Sequence, residues 1–135
     1  MNKFDEYFMS VAEEASKLSS ATRLRVGCVL VRDKRVLATG YNGTPSGYYT
    51  NICEDETGTT KDVVIHAELN ALLQMAMSTE SSKNSTAYTT HAPCINCAKS
   101  LAQAGIKKLI YKEEYTNGNG LNTLRDLGVE VIKYG

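Results

Sequence analysis

A chain of 135 residues, 42% of them hydrophobic, is long enough to bury the core of one domain. Its 15 Lys and Arg balance 15 Asp and Glu, so the basic surplus of a nucleic-acid-binding surface is missing and a small-molecule partner is expected. No apolar run approaches membrane-spanning length and the first ten residues are polar and mixed in charge, which predicts a soluble, cytoplasmic protein with no membrane association.

Phe4, Tyr7, Phe8, Val11, Ala12, Ala15 and Leu18 recur at three- and four-residue steps and predict a helix with one buried face, ended by Ser19-Ser20-Ala21-Thr22. Residues 26–31 are a nearly continuous apolar run rich in β-branched side chains, hence a buried strand. After a polar turn at 32–35, residues 36–41 return as the second strand of a hairpin. Residues 42–64 carry Gly43, Pro45, Gly47 and Gly58 and form a long irregular stretch, expected to be functional or disordered. Residues 65–77 are apolar almost all round, a buried helix with His66 and Glu68 in its first turn. A polar linker at 78–85 and a strand at 86–90 follow, and Pro93 suits the first position of a helix running to Ala104 and stopped by Gly105. A strand at 107–112, a loop at 117–120, a short helix at 121–127 and a strand at 129–134 complete the chain. This order predicts a single α/β domain over 1–135, a three-layer α/β/α fold with a five-stranded mixed sheet whose last three strands are parallel.

Two stretches carry chemistry: His66-Ala67-Glu68 and Pro93-Cys94-Ile95-Asn96-Cys97. One imidazole and two thiols suit Zn²⁺, and three protein ligands leave a tetrahedral ion one open position. Cys94 and Cys97, at i and i+3, face the same way, in a first turn whose free N–H groups favour thiolates. Glu68 is two residues from His66, close enough to reach a water in the open position without being a ligand. Such a water has its pKa lowered to about 7 and needs a proton acceptor beside it. A structural zinc wants a fourth protein ligand, for which Cys28, Cys53 and His91 are the soft candidates. Cys28 is expected in the core as a small hydrophobe and Cys53 as a free thiol, and a Pro-preceded C-x-x-C suits metal ligation in a reducing compartment better than disulfides. The pattern H-x-E…P-C-x-x-C is the signature of zinc-dependent cytosine and adenine deaminases, so hydrolytic deamination is expected.

Together with Gly40-Tyr41-Asn42-Gly43-Thr44-Pro45-Ser46-Gly47, His66-Ala67-Glu68-Leu69-Asn70-Ala71 and the run from Ala102 to Leu109, residues 5–133 resemble the deoxycytidylate (dCMP) deaminases. The resemblance implies a cytidine-deaminase-like fold and conversion of dCMP to dUMP and ammonia, feeding thymidylate synthesis. It implies zinc held by His66, Cys94 and Cys97, with Glu68 as proton shuttle. It also implies substrate contacts from Arg25 (with Arg23 a close competitor), Asn42 and Tyr115, and from the main chain of Ala67 and Ala92. Further implications are a homo-oligomer, a hexamer, activated by dCTP with Mg²⁺ and inhibited by dTTP, with Tyr41, Asn42, Gly43 and Thr44 at the effector site. The chain departs from the family at Ala92, where Ser is common, at His91, where an apolar residue is frequent, and in a short stretch before His66 where some relatives hold a second zinc. The same scaffold also suits deamination of another cytosine nucleotide or nucleoside, such as dCTP or cytidine, or of adenosine in tRNA. Outside enzymes, the alternative is a zinc-stabilised binding module without turnover.

Overall fold

A computed structural model describes residues 1–114 and 118–135. Helix α1 (Lys3–Ser16) starts where the Asn2 side chain accepts the Asp5 N–H at 2.8 Å, an N-cap that satisfies one of the helix's orphan donors. Strands β1 (Gly27–Arg32) and β2 (Arg35–Tyr41) form a hairpin around Asp33 and Lys34, both at positive φ. Such a two-residue turn matches the right-handed strand twist, so both strands reach further into the polar run 32–35 than its composition predicts. The chain continues through α2 (Ala67–Ala76), β3 (Thr86–His91), α3 (Ile95–Gln103), β4 (Lys108–Glu113), α4 (Asn119–Asp126) and β5 (Glu130–Lys133).

The sheet order is β2-β1-β3-β4-β5. β1 is antiparallel to β2 and to β3, while β3, β4 and β5 are parallel and joined by helices, as parallel neighbours require. Alternation along the strands divides the core in two. Cys28, Leu30, Ala87, Leu109 and Tyr111 pack against α2, α3 and α4, whereas Val29, Val31, Tyr88 and Ile110 pack against α1. Both faces of the central strands are therefore covered, which is why 26–31 reads as an unbroken apolar run instead of an alternating one. This is the three-layer mixed-sheet fold expected from the element order. No helix among the described residues is long and apolar enough to cross a membrane.

Backbone lies directly on backbone where α2 meets β2. A Cβ at Gly40 would stand 2.2 Å from the Ala67 carbonyl oxygen and 2.5 Å from the Ala71 nitrogen. Gly40 thus seats the first turns of α2. Gly40→Ala must push the helix off the strand, and urea denaturation is expected to show a loss of about 3 kcal/mol. Wild-type stability in that variant would mean that α2 does not sit this close.

The stretch between β2 and α2 is ordered by local pairing. Gly43 bridges Ile65, Glu54 bridges Thr60, and the Asp55 carboxylate accepts the N–H groups of Thr57 at 2.9 Å and Thr59 at 3.0 Å.

Candidate active site

The sheet presents the ends of two helices side by side. His66 is the N-cap of α2 and Cys94 the N-cap of α3, both with extended backbone and neither bonding its own helix through its side chain. Sequence pattern alone puts both inside the first turns; the structure puts them one step outside, with Cys97 inside the turn. The His66 Nδ1 lies 3.3 Å from Cys97 Sγ and 3.6 Å from Cys94 Sγ, and the three donor atoms fall within 4.8 Å of one another. A tetrahedral zinc with bonds of about 2.3 Å to sulfur and 2.0–2.1 Å to nitrogen has N···S edges of about 3.6 Å, so this donor set fits the ion as it stands. Among the described residues no fourth His, Cys, Asp or Glu joins the cluster. Cys28 is in the core, and the other three cysteines are also free.

Glu68, in the first turn of α2, is 4% exposed. Burial raises its carboxyl to about 7, against the opposing pull of its own N–H and of His66. A carboxyl at that value takes up and releases protons with equal ease near neutrality. The Cys94 thiol is pushed down to about 3, first by the hydrogen bond with Cys97 and then by His66. Cys97 keeps the proton of the pair and is raised by that same bond and by burial. His66 is raised chiefly by its bond to Cys94.

These groups open onto a cavity of about 180 Å³ whose walls include Ala67, Ala92, Asn42, Arg23 and Glu54. Ala67 is the first residue of α2, so its N–H has no intrahelical partner. The Ala92 N–H is already donated to the Glu113 carbonyl at 2.8 Å, leaving the Ala92 carbonyl as the polar group it can offer. Asn42 clasps the segment before β1: its Oδ1 accepts the Val26 N–H at 2.9 Å and its Nδ2 donates to the Leu24 carbonyl at 2.8 Å. One amide N–H of Asn42 remains beyond that clasp.

Arg25 does not line the cavity. It is exposed, and its Nε donates to the Ala21 carbonyl at 3.3 Å. Arg23 is the one permanent cation among the described lining residues. Tyr115 lies outside the described residues. Tyr41, Gly43 and Thr44 line a separate depression of about 330 Å³ that also includes Leu73 and Met77. Side chains alternate at the end of β2, so Asn42 belongs to the cavity of His66 and Cys94 and its two neighbours to the other depression.

Sequence reasoning marked the 42–64 stretch as functional or disordered and named Asn42 in it, but missed the other residues it brings to the cavity. Glu54, Cys53, Thr60 and Val64 all line the cavity, and the only signal for this was the length of the segment. His91 also lines it, its Nδ1 held at 2.8 Å by the Thr90 hydroxyl, which in turn accepts the Gly27 N–H at 3.1 Å.

The sequence model of the cytidine and deoxycytidylate deaminase zinc-binding region matches residues 2–113. Deoxycytidylate deaminase of Schizosaccharomyces pombe is 38% identical over 97% of this chain, yet the chain spans only 44% of that protein's length. Deoxycytidylate deaminase of Mycobacterium phage D29 is 36% identical over 82% of this chain and 95% of its own. Among solved structures, dCMP deaminase of the cyanophage S-TIM5, in complex with dCMP and dUMP, superposes with a TM-score of 0.96 at 47% identity, covering 99% of each chain. Shared sequence over most of the chain, a shared fold and a three-donor cluster beside a buried Glu place this chain in the cytidine and deoxycytidylate deaminase family.

Proposed function

We propose that this protein hydrolyses dCMP to dUMP and ammonia. The observation that carries the proposal is a zinc-fitting cluster of His66, Cys94 and Cys97 with no fourth protein donor among the described residues, set beside the buried carboxyl of Glu68. The similarity to a cyanophage enzyme solved with dCMP and dUMP supports the choice of substrate.

Bound by those three side chains, zinc supplies a water acidified to near neutrality as the nucleophile. A cytosine ring offers O2 as an acceptor and its 4-amino group as a donor, and the Ala67 N–H with the Ala92 carbonyl is the complementary pair that orients it. As water adds to C4, the Glu68 carboxylate takes the proton that the water gives up and delivers it to N3. Glu68 then carries the proton of the new C4 hydroxyl to the 4-amino nitrogen; the C4–N bond breaks, ammonia leaves and a carbonyl remains at C4. Arg23 meets the 5′-phosphate, with Asn42 offering its remaining amide N–H to the nucleotide.

We also propose that the depression at Tyr41, Gly43 and Thr44 takes an effector, dCTP with Mg²⁺ as activator and dTTP as inhibitor. Leu73 and Met77 of its lining, with Leu69 beside them, are exposed apolar side chains on α2 and at its C-cap, which suits burial against a second copy in a homo-oligomer such as a hexamer. Four free cysteines suit the reducing cytoplasm.

The test is ammonia release from dCMP, deoxycytidine, dCTP and cytosine, with dCMP repeated in the presence of dCTP and Mg²⁺. Losing a charge-assisted phosphate contact should lower kcat/KM on deoxycytidine by about 100-fold. A faster rate on deoxycytidine than on dCMP would overturn the substrate, and a hyperbolic dCMP curve unmoved by dCTP would remove the effector.

A further inference from the structure

Glu54 is a buried acid with no hydrogen bond or ion pair to the zinc donors or to a basic side chain among the described residues. It lies in the stretch between β2 and α2, bridged to Thr60, and is 8% exposed. A buried carboxylate must find donors, and this one finds main chain: its Oε2 accepts the N–H of Thr22 at 3.1 Å and of Arg23 at 3.3 Å. Burial alone would raise the carboxyl, but those N–H groups and the Thr22 hydroxyl together bring it below its ordinary value.

Residues 21–26 belong to no helix or strand, so no regular backbone pattern decides where Arg23 stands. Asn42 fixes the far end of this segment at Leu24 and Val26. Glu54 fixes the near end. Two consecutive N–H groups on one oxygen set the peptide planes on both sides of the Thr22 Cα, so that, with Asn42 holding Leu24 and Val26, the backbone is pinned on either side of Arg23. The carboxylate also lines the cavity, where an unengaged negative charge would oppose a phosphate; engagement by two amides damps that charge while giving it a use.

We propose that Glu54 is a positioning residue acting through Arg23: its carboxylate holds the Thr22–Arg23 main chain so that the guanidinium meets the 5′-phosphate of the nucleotide. This rests on dCMP being the substrate. The experiment is a double-mutant cycle of E54A, R23A and the double variant, with E54Q as the conservative control, reading kcat and KM for dCMP together with zinc content.

E54A should raise KM about ten-fold with kcat and zinc content kept. E54Q, which retains an amide oxygen as acceptor, should restore most of the loss. On the R23A background, E54A should change KM by less than about two-fold, because the residue it acts through is gone. Should E54A fail to fold, E54D takes its place in the cycle, since it keeps the charge but withdraws the acceptor by one methylene. Effects of E54A and R23A that simply multiply, or a fall in kcat at unchanged KM, would overturn the proposal. A wild-type enzyme inert towards dCMP is a different result: it removes the substrate assignment before any variant is made.

Discussion

Glu68→Gln is expected to lower kcat by about 10³- to 10⁴-fold, roughly 4–5 kcal/mol of barrier, while zinc content and fold stay as in the wild type. In the proposed mechanism the side chain serves two successive proton transfers, and an amide of the same shape can accept neither. Stability should hold because Gln keeps the shape of the side chain, and burial already disfavours the charged form of the Glu68 carboxyl, raising it to about 7. The measurement is single-turnover deamination of dCMP beside metal analysis and a thermal melt. Turnover within a few-fold of wild type would remove Glu68 from the chemistry. Wild-type protein that binds zinc but never releases ammonia from any cytosine compound would identify a structural module instead.

Withdrawing the metal should have the next largest effect, and on two observables at once. Cys97→Ser, or a strong chelator, is expected to abolish measurable deamination and to lower Tm on the order of 10 °C, since zinc at about 1,000 times its Kd stabilises the folded chain by about 4 kcal/mol. Cys97 is the informative ligand. It is 5% exposed and lies between the His66 imidazole and the Glu68 carboxyl, whereas Cys94 is only half-buried. Added Zn²⁺ should restore the chelated enzyme but not the variant. Activity surviving complete removal of the ion would exclude the three-donor site from catalysis.

The frame and the metal donors could be read from the chain because each has a local signature. The buried strands show as apolar runs, α2 and α3 as periodic segments with recognisable ends, and the donors as a spaced pattern whose chemistry has few other uses. The substrate-facing details had no such signature. Arg23 and Arg25 are two places apart in a segment without regular structure, and only the fold shows that the first reaches the cavity while the second bonds back to Ala21. Asn42 reads in the sequence as a substrate contact or a turn residue, but most of its amide is committed to the main chain of Leu24 and Val26. The Ala92 N–H is spent on Glu113, a partner set by the parallel register of β3 and β4. Glu54 left no trace, because a lone acid in an aperiodic loop resembles any solvated carboxylate until the loop folds over Thr22 and Arg23.

The place of β3 in the middle of the sheet has a mechanical meaning. Among the described residues, those before the mostly exposed segment 77–84 form α1, β1, β2 and α2, those after it form the other strands and helices, and the two halves meet along the antiparallel seam of β1 with β3, with α1 packed across it. The metal donors are divided between the halves, His66 from the first and Cys94 with Cys97 from the second. An ion gripped by all three is a rivet across that seam, so whatever pries the halves apart also loosens its hold on the metal.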